Sequence, residues 1–190
     1  MSQAKTLSEQ EIKQVLDYVS TKKYGVRDRA LMLTSHLSGM RVGEIASLTV
    51  GHVLDASSNI KAEIRLTAEQ TKGKHPRTVF VSSKLREELT NYIQLVRTDD
   101  RGRSLFPTQK NPRKGFTANT LTQHFLALYR AAAVDGASSH SGRRTYATSI
   151  ASQGVGLRVL MRLMGHRNVS TTAVYIDAND DMLRRAVELA

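Results

Sequence analysis

The chain has 190 residues, 40% of them hydrophobic, with 28 Lys and Arg against 17 Asp and Glu and a formal charge of +11. That length suits one domain or a small pair with a proper core, and the charge surplus favours a polyanionic partner, nucleic acid first. The absence of Cys excludes disulfides and thiolate metal sites, and no apolar run approaches the roughly 20 residues of a membrane span. The N-terminal MSQAKTLSEQE lacks the apolar stretch of a signal peptide, so a cytoplasmic protein is expected.

Ser8 with Glu11 three residues on predicts a capping box, opening a helix to about Ser20 with Ile12, Val15, Leu16 and Val19 as its buried stripe. Gly25 punctuates, and a second apolar helix is expected from Arg29 to Leu37, ending at Gly39. Arg41 lies just past that end, before a short helix from Gly43 to about Leu48. It therefore sits on a turn braced by two helices, with Glu44 as an ion-pair partner.

Residues 52–82 change period. Ile60, Ala62, Ile64 and Leu66 alternate with polar residues, and Val79, Phe80 and Val81 form a second β-prone run. Between them Thr71–Arg77 is a cationic, glycine-containing loop, so a hairpin or small sheet is expected with Lys72 and Lys74 at or near its tip. Ser83 is expected to cap a helix with the stripe Leu85, Leu89, Tyr92, Ile93 and Val96. The segment Thr98–Gly115 reads as a long basic surface loop carrying Arg101, Arg103, Lys110, Arg113 and Lys114, candidates for a nucleic-acid backbone. Thr117 or Asn119 opens a helix with Leu121, Phe125, Leu128 and Ala132 inward, and His124 reads as a rim residue. A last helix is expected from Asp180 to Leu189, acids first and Arg184-Arg185 late, as the helix dipole favours.

The stretch Ser139–Tyr175, SHSGRRTYATSIASQGVGLRVLMRLMGHRNVSTTAVY, places polar groups as a core helix has no need to. His140 and Arg143 are three apart, so on a helix both project from one face. Apolar helical sequence runs on to Met164, where Gly165 breaks it. On one continuous helix His166 and Tyr175, nine residues apart, would face opposite sides, on the order of 13 Å apart along the axis. A break with a new start at Ser170 lets the chain fold back and bring them together.

HSGRR, then LMGH, then Tyr175 resembles the C-terminal half of the tyrosine recombinase (phage integrase) family. Ser38-Gly39-Met40-Arg41-Val42-Gly43-Glu44-Ile45 resembles the family's first arginine box, and Gln70-Thr71-Lys72-Gly73-Lys74 resembles the turn with its catalytic lysine. The motifs occur in order across roughly residues 7–187. The resemblance implies an α+β fold, mostly helical with a small antiparallel sheet near residues 52–82, and residues 1–190 as a single catalytic domain without the usual N-terminal DNA-clamping domain. A Gly, Gly142, stands where the family more often has Leu, which suggests a tighter or distorted turn.

The resemblance further implies a site-specific DNA recombinase, with Arg41, Lys72, His140, Arg143 and His166 around the nucleophile Tyr175. Lys74 is the alternative lysine and Glu44 a supporting residue; Lys74, Arg77 and Arg144 join the backbone-contact candidates above. No cofactor or metal is expected, in line with the absence of GxxxxGK[ST] and HExxH motifs. Double-stranded DNA is the implied partner, together with a homo-oligomer, a tetramer on paired sites, formed through segment 179–190 with Met182, Leu183, Val187 and Leu189 as its apolar contacts. Two other readings fit parts of the pattern: a type IB topoisomerase-like nicking and closing enzyme, and a non-catalytic DNA-binding regulator.

Overall fold

In the computed structural model, which describes residues 4–96, 98, 100–111, 113–175, 184, 187 and 188, helix α1 (Glu9–Ser20) begins at the expected cap. Ser8 Oγ accepts the Glu11 N–H at 3.2 Å while the Glu11 carboxylate accepts the Ser8 N–H at 2.9 Å. Helix α2 (Gly25–Ser38) starts four residues before the expected Arg29. Gly25 is its first residue, at a turn so tight that a Cβ there would lie 2.3 Å from the Val19 carbonyl oxygen. Burial on nearly every side makes α2 the central element, packed against α1 and three later helices. It ends at Gly39 in the left-handed region, φ +60°, as the glycine predicts.

Two short helices, α3 (Val42–Ala46) and α4 (Val50–Val53), lead to the sheet. Strands β1 (Glu63–Leu66) and β2 (Arg77–Phe80) pair antiparallel, Glu63 opposite Phe80 and Leu66 opposite Arg77. Ile64 and Leu66 point into the core while Glu63 and Arg65 face out, the alternation expected of a half-buried strand. Helix α5 (Ser83–Val96) starts one residue earlier than predicted: Ser82, not Ser83, caps it, its Oγ accepting the Leu85 N–H at 3.2 Å.

The basic stretch after α5 is less free than its composition suggests. Leu105 and Phe106 are core residues, Leu105 N–H bonds the Leu48 carbonyl at 2.8 Å, and Val50 N–H bonds the Arg103 carbonyl at 2.9 Å. Two apolar side chains in a polar run anchor it beside α3 and α4. Helix α6 (Ala118–Ala131) starts at the Thr117 cap and packs on α3. Its His124 bonds Asp28 at 2.9 Å at the edge of the core.

The continuous helical run expected to Met164 is two helices, α7 (Ser141–Ser152) and α8 (Leu157–Met164). Gly154, at φ +77°, turns the chain between them. Gly142 does not distort α7. Instead it lets α7 close on α2, since a Cβ there would meet Ser35 Oγ at 2.3 Å and Ser35 Cβ at 3.0 Å. A short helix, α9 (Val169–Ala173), is capped by Asn168 rather than the expected Ser170. One apolar cluster joins α1 to α6; a smaller one of Ala147, Ala151, Leu160 and Met164 lies under α7 and α8. The expected helix 180–189, with Met182, Leu183 and Leu189, lies outside the described residues apart from Arg184, Val187 and Glu188.

Candidate active site

The elbow between α2 and α3 carries Arg41, and Glu44 one turn into α3 holds it. Glu44 is 1% exposed, and its carboxylate accepts Arg41 N–H at 2.7 Å and Arg41 Nη1 at 3.1 Å. The same carboxylate accepts a fork from Arg77, Nε at 3.2 Å and Nη2 at 2.7 Å. Burial alone would raise the Glu44 carboxyl; the bonds and charge of Arg77 and Arg41 outweigh it and hold the group below its ordinary value. Arg77 spends its remaining nitrogen on the Leu163 carbonyl at 2.9 Å. Sequence reasoning placed Arg77 among the backbone-contact cations; the structure turns it inward, where its strand position opposite Glu44 makes it a brace. Arg41 keeps a side chain 29% exposed and reaches the Gly165 carbonyl at 3.4 Å.

Arg143 rises from α7 into the same place. It is 5% exposed, donates to the Gly39 and Met164 carbonyls, and faces His166 Nε2 with Nη2 at 2.9 Å. Burial, then the neighbouring Arg41 and Arg77, push its pKa down to about 9, so it stays charged at pH 7. His166 follows Gly165, whose φ of +60° makes the turn and whose missing Cβ would lie 2.6 Å from Arg77 Cδ. A guanidinium has no acceptor, so Nε2 accepts from Arg143 and the ring proton sits on Nδ1, 2.9 Å from Thr172 Oγ1. Burial and then Arg143, Arg41 and Arg77 push the imidazole down to about 4, which keeps it neutral.

The chain folds back after His166 as expected. The rings of His166 and Tyr175 stack with centroids 6.1 Å apart and planes 17° apart. Tyr175 also packs on the small apolar cluster, and the Arg144 guanidinium carbon lies 5.7 Å from its ring. Arg144 Nε bonds Thr6 Oγ1 at 3.1 Å. Arg41, Arg143, His166 and Tyr175 therefore converge on the Gly165 turn. His140 is the exposed N-cap of α7, three residues before the buried Arg143, and its imidazole makes no hydrogen bond among the described residues.

Beside this group opens a cleft of about 490 Å³, lined by the half-buried Arg41, Arg77 and His166 and by the exposed Lys72, His75 and Arg167. Lys72 lines it and Lys74 does not; Lys74 instead takes a left-handed φ of +51° behind the turn. Arg162 adds a further positive charge. Of the other cations, Arg101 bonds the Asp55 carbonyl and Ser58 at the hairpin's base, and Arg103 lines a separate cleft near Lys23 and Tyr24. Lys110, Arg113 and Lys114 are exposed. Sequence reasoning had no role for Thr172, Arg162, Arg167 or His75, since a lone hydroxyl or surface cation carries no spacing signal. Among the described residues no three His, Asp or Glu side chains gather closely enough to hold a metal ion. Among them too, no helix is long and apolar enough to cross a membrane.

The phage integrase family's sequence profile matches residues 5–182. Tyrosine recombinase XerA of Pyrococcus furiosus is 27% identical over 186 residues, 98% of this chain and 62% of the relative. Tyrosine recombinase XerC of Neisseria meningitidis serogroup C is 32% identical over 168 residues, 87% of this chain and 52% of the relative. Among solved structures, XerA recombinase matches with a TM-score of 0.76 at 26% identity, over 100% of this chain and 66% of that one. The fold is also that of the Tn1549 transposon integrase in complex with transposon right end DNA, with a TM-score of 0.74 at 17% identity over 99% of this chain and 66% of that one. The chain spans about three fifths of the length of the XerA relative.

Proposed function

Because the chain belongs to the phage integrase family, we propose that it is the catalytic part of a site-specific DNA recombinase with Tyr175 as its nucleophile. The observation that carries this reading is the convergence of Arg41, Arg143, His166 and Tyr175 on the Gly165 turn from three separate parts of the chain. Two guanidiniums beside a phenol suit a phosphodiester, which gains negative charge in a pentacoordinate transition state.

Tyr175 Oη attacks phosphorus, the bond to the 5′-oxygen breaks, and a 3′-phosphotyrosyl link forms with a free 5′-hydroxyl. Arg41 and Arg143 hold the non-bridging oxygens, where removal of one such donor typically costs roughly 10²–10³ in rate. The phenol passes its proton to His140, and Lys72 protonates the leaving 5′-oxygen. His166 bonds the phosphate. An arriving anion gives Arg143 a better acceptor and offsets the cations that keep the imidazole neutral, so Nε2 takes up a proton and becomes a donor. The link conserves the energy of the broken bond, and attack by a second 5′-hydroxyl reverses the step on a new strand. Double-stranded DNA is the substrate, and a homo-oligomer on paired sites, contacting through segment 179–190, is the working assembly.

Incubation with supercoiled DNA from the chain's own genomic neighbourhood, followed by junction sequencing, identifies the site. Tyr175→Phe binds that DNA nearly as well as the native protein and forms no covalent adduct on a nicked duplex. An adduct of unchanged yield would remove Tyr175 from its role. Relaxed plasmid without recombined junctions would point to a nicking and closing enzyme instead.

A further inference from the structure

We propose that His75 and Arg167 form a latch across the cleft that positions the Lys72 turn, which makes both positioning residues for strand cleavage. The inference rests on the reading of Lys72 as the general acid. The cleft is lined by two turns from distant parts of the chain, the one between β1 and β2 and the one between α8 and α9. Arg167 Nη1 lies 2.7 Å from His75 Nε2 across 92 residues of sequence. Among the described residues no other side-chain hydrogen bond joins the two turns. The guanidinium can only donate, so the imidazole accepts.

Holding His75 holds the whole turn. Thr71, which is buried, accepts the His75 N–H on Oγ1 at 3.1 Å and donates to the His75 carbonyl at 2.7 Å. Lys74 N–H closes on the Thr71 carbonyl at 3.1 Å. Residues 71–75 therefore move as one body. Lys72 itself makes no hydrogen bond or ion pair among the described residues, so its long flexible stem is aimed only by the turn that carries it. A neutral acceptor also suits the place. A carboxylate would hold Arg167 more strongly but would set a negative charge against the incoming phosphodiester, in a cleft otherwise lined by Arg41, Lys72 and Arg162.

The test has two arms that fail separately. In the first, amide hydrogen exchange is followed at Lys74 and His75 in the native protein and in Arg167→Ala. A latch makes both amides exchange roughly three- to tenfold faster in the variant, as expected for loss of one exposed charge-assisted bond. Unchanged exchange overturns the proposal, whatever the protein's activity.

In the second arm, single-turnover cleavage at saturating protein uses a nicked duplex of the mapped site, made once with a 5′-bridging oxygen and once with a 5′-bridging sulfur. A thiolate leaves without an acid. His75→Ala therefore cleaves the oxygen duplex roughly ten- to a hundredfold more slowly and the sulfur duplex at near the native rate. His75→Gln, whose carbonyl can accept from Arg167, recovers most of the loss. Equal slowing on both duplexes overturns the latch, provided that Lys72→Ala shows the oxygen-specific defect. If Lys72→Ala slows both equally, the acid assignment fails and the exchange arm alone decides the latch.

Discussion

His166 stands between two partners that leave it a single tautomer, Arg143 on Nε2 and Thr172 on Nδ1. Thr172 is fully buried, lies on α9, and accepts the Tyr175 N–H on its carbonyl at 3.0 Å, so one residue ties the histidine to the backbone of the proposed nucleophile. Thr172→Val keeps the shape and removes the hydroxyl, leaving a ring N–H without its partner, at a cost of about 1–3 kcal/mol. Cleavage of a nicked duplex by this variant should slow roughly tenfold with DNA affinity kept, and Thr172→Ser should restore it. A native rate in Thr172→Val would detach the hydroxyl from the chemistry. His166 and Tyr175 could be named from their spacing. Thr172 could not, because a hydroxyl's partner depends on how the chain turns back after Gly165. Arg77 is the parallel case: its charge is visible in the sequence, its burial against Glu44 is not.

The closest approach of α7 to α2 decides where Arg143 points, and Gly142 permits it. Helix propensity alone makes Gly→Ala at such a position stabilising by roughly 1 kcal/mol. The Ser35 backbone and side chain reverse that sign, because a Cβ would stand 2.3 Å from Ser35 Oγ and 3.2 Å from the Ser35 carbonyl carbon. Gly142→Ala should destabilise the protein by about 1–3 kcal/mol in urea unfolding, and Gly142→Leu by more. A stabilised Gly142→Ala would mean that the two helices part without cost. Element boundaries followed the same division. The Ser8 box and the Thr117 cap were legible because both partners of each bond lie within three residues. The split of α7 from α8 was missed because the apolar periodicity resumes at Leu157, and Gly154 and Gly156 do not by themselves show whether the chain bends between them.

Stability belongs to the whole molecule, and a buried histidine links it to pH. His36 is 6% exposed on α2, and burial pushes its pKa down to about 4. Its Nδ1 lies 3.2 Å from the Met32 carbonyl and Nε2 has no partner. Between pH 6.5 and about 4 the unfolded chain binds a proton here that the folded protein does not, so stability is full above pH 6.5 and falls as the pH drops through that window. At about 1.4 kcal/mol per pH unit the loss reaches roughly 3 kcal/mol by pH 4. His36→Leu should lessen the slope of unfolding free energy against pH in this window, leaving the share of His166, whose imidazole is also pushed down to about 4; an unchanged slope would place the titration elsewhere. By itself the sequence determined the helical stripes, the hairpin and the caps at Ser8 and Thr117, and it named Arg41, Arg143, His166 and Tyr175. Period, capping and spacing are properties of neighbours along the chain. Only the tertiary structure decided that Arg77 is buried against Glu44 while Arg41 stays half-exposed at the cleft, and that Lys72 rather than Lys74 lines the wall. Those outcomes depend on burial and on partners brought together from distant segments, which no local pattern encodes.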